Sequence, residues 1–439
     1  MIRAALAVFF LLACAAVAPA AEPKPATPIE HFIVLMQENH TFDNYFGTYP
    51  GADGPAEDVC MPKLVDDPTA GCDKREWIGN SPTLDLLHSS DVAQAQYNNG
   101  QMNGFVDVFT RRGIDDAKPM GYYDDRDLPY YWNLADNYVL FDRFFASAAG
   151  GSVWNHMFWV TGTPGNPVGD VIPAEGFDAA KIPTIFDRLE EKGVSWKFYV
   201  QNYDPRITAF NVANLTDNDK LSQPIWVPLL AYKKYVEDPR LFSHIVDMDQ
   251  YYKDAAEGTL PAVAFIAPAG SSEHPPGRIQ AGQAFIRSIV TQLMRSPQWG
   301  SSAFMWTYDD WGGWYDHVKP PQVDKYGYGF RVPTLLVSPW AKRGYIDSTT
   351  LDFTSMLKFI QQNWGVAPLA ERDRAAKSIA GAFDFSQPAP RSPVLLSLER
   401  NPVSPQIVKT TLVYWAYASA FVLPLLIVLA GLVVRRTRR

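Results

Sequence analysis

The sequence predicts an α/β body, a three-layer α/β/α sandwich around a mainly parallel central sheet. Short apolar runs of strand length alternate along the chain with segments whose apolar residues recur at helical spacing. Those runs are almost continuously apolar, as strands covered on both faces must be. The composition is globular, 47% hydrophobic and 20% charged, unlike that of a disordered chain.

Taken in order, residues 1–21 read as a secretory signal peptide. Arg3 precedes an apolar run, and Ala18-Pro19-Ala20 offers a small-x-small cleavage site. Lipid attachment at Cys14 is a second way to process the same leader. Residues 22–384 are the body. Phe32–Met36, Val194–Val200, Ala262–Ile266, Ala303–Trp306 and Pro333–Val337 read as buried strands. Ile182–Lys192, Ala281–Leu293 and Phe353–Trp364 carry the helical pattern between and after them. Residues 385–411, rich in proline from Pro388 to Pro405, read as a semi-rigid linker. Residues 412–434 carry no charge and read as a transmembrane helix, with Tyr414, Trp415 and Tyr417 near one end. Residues 435–439 form a basic tail expected to stay cytoplasmic. The expected protein is therefore exported and anchored in the cytoplasmic membrane, with its body in the periplasm or at the cell surface.

The formal net charge is −8, which disfavours a nucleic-acid partner. Setting aside Arg3 and the tail arginines leaves a body more acidic still. Three cysteines exclude a disulfide scaffold or a multi-cysteine zinc array. Removing the leader takes Cys14 away and leaves Cys60 and Cys72, a pair suited to one disulfide.

Chemistry gathers just after the strands, where ligands bind in open α/β sheets. Phe32–Met36 leads to Gln37-Glu38-Asn39, Ala262–Ile266 to Glu273-His274, and Ala303–Trp306 to Asp309-Asp310 and Asp316-His317. If these strands run parallel, the groups meet at one edge. Glu38, Asn39, Asp309 and Asp310 offer carboxylates and an amide carbonyl, the donor set of a hard divalent cation. His88, His274 and His317 suit metal binding, anion binding or general acid catalysis. Ser152 follows Gly150-Gly151 and opens an amphipathic stretch, which places a hydroxyl at a helix N-terminus where phosphate binds.

Several segments together resemble the bacterial phosphoesterase family of phospholipases C and acid phosphatases. They are IEHFIVLMQENHTFDNYFGTYPGADG at 29–54, DLLHSSDVAQAQYNNGQMNGFV at 85–106, TYDDWGGWYDHVKPP at 307–321 and FRVPTLLVSPWAKRGYID at 330–347. The resemblance implies an alkaline phosphatase-like fold and one metal ion. It implies ligands at Glu38, Asn39, Asp309 and Asp310, a nucleophile at Ser152, and active-site histidines at His88 and His274. Asn155 is kept from the nucleophile segment and, with His317, is a candidate for substrate binding. Trp154 and His156 stand where relatives usually have Pro and Arg, His40 and Asn44 where they often have Arg and His, and Phe353 where His is common. Those changes fall on head-group recognition and leave the metal set whole.

The reading is a metal-dependent phosphoesterase acting on phospholipid or small phosphoester substrates. Phospholipase C-like cleavage through a phosphoseryl intermediate comes first and acid phosphatase activity second. A catalytically silent, membrane-anchored binding protein is the reading of another class. Loss of the metal carboxylates would mark it, and they are present.

Overall fold

A computed structural model of the chain describes residues 23–79, 81, 83–212 and 222–400, and every element below lies within the unit Met1–Leu396. The central sheet has eight strands. In chain order they are β1 His31–Gln37, β2 Val139–Phe141, β3 Trp196–Val200, β4 Ile245–Asp247, β5 Val263–Ala267, β6 Ser302–Tyr308, β7 Thr334–Val337 and β8 Tyr345–Asp347. Across the sheet the order is β8-β2-β7-β6-β1-β5-β3-β4. β6, β1, β5, β3 and β4 form a parallel block, and β7 runs antiparallel to both of its neighbours.

Eight helices matter here: α1 Phe42–Phe46, α2 Ser90–Tyr97, α3 Pro129–Asn137, α4 Ser152–Thr161, α5 Ile185–Lys192, α6 Asp249–Glu257, α7 Ile279–Arg295 and α8 Phe353–Trp364. Their ends are written in the sequence. Thr184 and Asp187 close a capping box on α5, Asp352 and Ser355 another on α8, and Gly193 and Gly365 end these helices in left-handed conformation.

Alternation along each strand sends side chains to opposite faces. On one face Phe32 meets Phe359 of α8 at 5.0 Å, Phe265 meets Trp159 of α4 at 4.5 Å, and Trp196 meets Phe186 of α5 at 4.6 Å. On the other, Trp306 meets Tyr131 of α3 at 5.3 Å and Tyr199 meets Tyr251 of α6 at 5.5 Å. These rings fill the spaces between sheet and helix layers, so the mixed α/β body matches the three-layer expectation.

The membrane helix does not survive as part of the fold class. Among the described residues no helix is long and apolar enough to cross a membrane. The longest, α7, has 17 residues, roughly 26 Å at ~1.5 Å per residue, short of a ~30 Å hydrocarbon core, and it exposes Gln280 and Arg287 on its outer side. The fold is corrected to the mixed α/β body, and the localisation resting on a C-terminal anchor is withdrawn with the helix. Residues 412–434 and 1–21, on which the anchor and leader were read, lie outside the described residues. Cys60 and Cys72 are joined by a disulfide across a short antiparallel ladder, with Cα atoms 5.4 Å apart.

Candidate active site

Parallel pairing sets the site. Gln37 of β1 lies opposite Tyr308 of β6, so Glu38 and Asp309 leave the sheet side by side. The Asp309 N–H donates to the Gln37 carbonyl at 3.0 Å, and the Asn39 N–H donates to Asp309 Oδ1 at 3.0 Å. Asn39 takes the left-handed conformation, φ 63°. Gly312 then passes so close that a Cβ there would lie 2.3 Å from the Asn39 carbonyl oxygen, and one at Gly313 would lie 2.6 Å from Leu86 Cβ. The adjacent glycines let the loop after Asp310 close against both Asn39 and the segment that carries His88.

Glu38, Asn39, Asp309 and Asp310 are all fully buried. Each keeps one oxygen without a hydrogen-bond partner: Glu38 Oε2, Asn39 Oδ1, Asp309 Oδ2 and Asp310 Oδ2. Buried acceptors are normally satisfied, so four such oxygens on neighbouring loops call for a ligand. Burial first, and the neighbouring Asp309 second, push the Glu38 and Asp310 carboxyls well above the usual range. A hard divalent cation would satisfy these lone pairs and offset the crowded negative charge. The residues therefore fit such an ion.

Ser152 is the first residue of α4, with Gly151 as its N-cap. Asn155 is buried beneath the approach to it. Its Oδ1 accepts from the Ala148 N–H at 3.0 Å and its Nδ2 donates to the Gly150 carbonyl at 3.0 Å. Both ends of that side chain are thus engaged by the loop preceding the serine. One turn beyond Ser152, His156 reaches the cation-type cluster. Its Nε2 lies 2.9 Å from Glu38 Oε1, and ligand atoms of His156, Glu38 and Asp309 lie within 4.8 Å of one another. Burial pulls its pKa down to about 4, so the ring is neutral and shares one proton with Glu38 across Nε2 and Oε1. The i, i+4 spacing from Ser152 was the signal that could have marked it.

Ser152, Gly151, His88, Asp85 and Asp170 line one cavity of about 380 Å³. Asp170 was not foreseen. It comes from the loop after α4 and returns to the start of that helix, where its Oδ1 accepts from the Trp154 N–H at 2.6 Å. Burial raises its pKa, donation from Trp154 and Gly151 lowers it, and Asp309 raises it again, leaving it above the ordinary value. No periodicity or motif in the Pro/Gly-rich loop announces this contact.

His88 Nδ1 donates to the Leu86 carbonyl at 2.6 Å, and its Nε2 accepts from Asn39 Nδ2 at 3.1 Å. The amide of Asn39 is thereby turned so that Oδ1 is the end left open. The His274 ring lies 5.8 Å from that of His88, and His274 Nδ1 donates to the Pro275 carbonyl at 2.7 Å. Burial lowers the pKa of His274, but the charges of Glu38 and Asp85 outweigh it and hold the ring above its usual value. His317 is engaged elsewhere: Nδ1 lies 2.7 Å from Asp43 Oδ2 and Nε2 lies 3.3 Å from Asp53 Oδ1. That network is built on the fully buried Arg331, which pairs with Asp43 at 2.7 Å and Asp316 at 2.9 Å.

A family model for the phosphoesterase family matches residues 29–367. The chain belongs to the phosphoesterase family. Among curated relatives, a non-hemolytic phospholipase C of Pseudomonas aeruginosa is 26% identical over 435 residues, covering 82% of this chain and 58% of the relative. Phospholipase C B of Mycobacterium tuberculosis is 28% identical over 440 residues, covering 83% of this chain and 80% of that one. The chain thus spans less than two thirds of the Pseudomonas protein's length. A solved protein of the alkaline phosphatase superfamily from Vibrio parahaemolyticus aligns over 77% of this chain and 68% of its own, at 13% identity and TM-score 0.37.

Proposed function

We propose that this phosphoesterase-family chain is a metal-dependent hydrolase of phosphoric esters, with phospholipase C-like cleavage of phosphodiesters its principal reaction. The observation that carries the reading is the cluster of buried, unsatisfied oxygens reached at Glu38 by His156, one helical turn from a serine at a helix N-terminus. The named phospholipase C relatives support the substrate class.

Glu38, Asn39, Asp309 and Asp310 would hold one divalent cation, with His156 fixing the orientation of Glu38. The bound ion would supply positive charge that lowers the pKa of the Ser152 hydroxyl and offsets charge on the phosphoryl group. With its proton given up to solvent, Ser152 Oγ attacks phosphorus as the alkoxide, and the bond from phosphorus to the leaving alcohol breaks. The Ser152 and Val153 amides at the start of α4 would face the non-bridging oxygens. The leaving oxygen takes a proton from His274, whose pKa the neighbouring carboxylates Glu38 and Asp85 raise. His88 has both ring nitrogens committed, so its part is to hold Asn39 in place. Water then attacks the phosphoseryl ester, His274 takes its proton back, and Ser152 leaves phosphorus as the alkoxide.

The test compares p-nitrophenyl phosphorylcholine with p-nitrophenyl phosphate, with and without chelator, on the full chain. Chelator-sensitive turnover of the diester is the expected result. Turnover of the monoester alone would replace the reading with an acid phosphatase, and chelator-insensitive turnover would remove the ion.

A further inference from the structure

The cavity beside Ser152 has an unusual charge inventory. Among the described residues its charged lining groups are Asp85 and Asp170, joined by His88, with no lysine or arginine. Phosphate seats are normally cationic, or built of free amide N–H groups. Here the Trp154 amide in the first turn of the nucleophile helix is already held by a carboxylate. Asp170 Oδ1 takes the Trp154 N–H at 2.6 Å, and Asp170 Oδ2 lies 2.7 Å from where a Cβ on Gly151 would stand. Among the described residues no lysine or arginine pairs with Asp170, and His88 is the basic group that faces it. Whatever phosphoryl group meets Ser152 therefore meets a fixed negative charge at the same helix end.

A phosphodiester carries one negative charge. A phosphomonoester carries close to two once the pH is above its second pKa of ~6. Repulsion by a carboxylate a few ångströms away therefore acts about twice as strongly on the monoester in a partly buried site. We infer that Asp170 is a specificity-determining residue that selects singly charged phosphodiesters over doubly charged phosphomonoesters at the Ser152 site. This inference rests on the hydrolase reading above and settles which of its two ester classes is favoured. The selection works by penalising the wrong substrate.

Asp170→Asn is the informative variant. Asparagine keeps the oxygen that accepts from Trp154 and removes the charge, giving up only the acceptor on the Gly151 side. With the full chain at pH 8, kcat/KM is measured for bis(p-nitrophenyl) phosphate and p-nitrophenyl phosphate, which share a leaving group. The native protein is expected to prefer the diester. The variant is expected to lower the diester-to-monoester ratio by about tenfold or more, chiefly by gaining monoester turnover. An unchanged ratio, or a native preference for the monoester, would overturn the inference. Calorimetric titration with inorganic phosphate and with dimethyl phosphate reads the same charge effect without turnover. Tighter binding of inorganic phosphate to the variant by about tenfold, with dimethyl phosphate little changed, would uphold the role of Asp170 even if neither ester were hydrolysed. Equal phosphate affinity in both proteins would refute it.

Discussion

Replacing Glu38 with glutamine should make the chain more stable without divalent cations and less stable with them. Glu38 and Asp309 present carboxylate oxygens within 4.8 Å of one another in a fully buried setting. At an effective dielectric of ~20 two unit charges at that distance repel by about 3.5 kcal/mol. That is a ceiling, because burial and Asp309 already push Glu38 toward its protonated form. Glutamine keeps an oxygen for His156, 2.9 Å away, and turns its amide toward the unsatisfied Asp309 Oδ2. Unfolding entropy of ~2.1 cal/mol/K per residue makes 1 kcal/mol worth a little over ~1 °C in a body of this length. In chelator the variant should therefore melt higher than the native protein, by up to about 4 °C. A cation at a hundredfold excess over its Kd stabilises the native fold by ~2.7 kcal/mol, or about 3 °C. The variant has lost a charged ligand and should gain under ~1 °C. Differential scanning calorimetry with and without Mg2+, Ca2+, Mn2+ or Zn2+ reads both shifts, and the order of the two proteins should invert on loading. Equal cation-induced shifts in the two proteins, or a variant that melts lower in chelator, would show that these oxygens do not form a cation site.

Ser152→Ala should abolish ester turnover while leaving the melting temperature within ~1 °C, since its backbone and the Asn155 bonds beneath it are unchanged; measurable native-like turnover would exclude Ser152 as nucleophile. Glu273 is pushed by burial up to about 7 from 4.5, with Tyr131, Tyr45 and Tyr308 donating to it against that rise. Because the folded pKa is the higher one, stability is fully present below pH ~4.5 and falls by about 3 kcal/mol as pH rises through ~7, and Glu273→Gln should flatten that part of a urea-midpoint profile against pH. Arg331→Leu strands Asp43 and Asp316, both fully buried, and should cost about 3–5 kcal/mol in urea denaturation. Breaking the Cys60–Cys72 bridge, which spans 12 residues of sequence, should cost about 3 kcal/mol by the same measure.

What the sequence made legible follows from period and register. The apolar runs before Glu38 and Asp309 could be read as strands, and once β1 and β6 are parallel neighbours the carboxylates at their ends must meet. Helical spacing from Ser152 could have marked His156, but the sequence placed it only among the changes bearing on head-group recognition, and the structure ties it to Glu38. The short strands β2, β4 and β8 were missed, because three residues give no period to detect. The antiparallel course of β7 was missed for another reason: direction is set by the path of the connecting loops, not by the apolar run itself. The membrane helix was read from hydropathy, the aromatic residues at one end and the basic tail, and no described helix is long and apolar enough to be one. Asp170 is the opposite case, a residue with no local pattern placed by a loop closure. Folding gains little from bringing a fourth carboxylate toward Glu38, Asp309 and Asp310, since burial and Asp309 together raise its pKa above the ordinary value. A helix cap alone would be served as well by asparagine or serine, which carry no charge. The charge of Asp170 thus has a cost that capping does not account for, and selection of the substrate's charge does account for it.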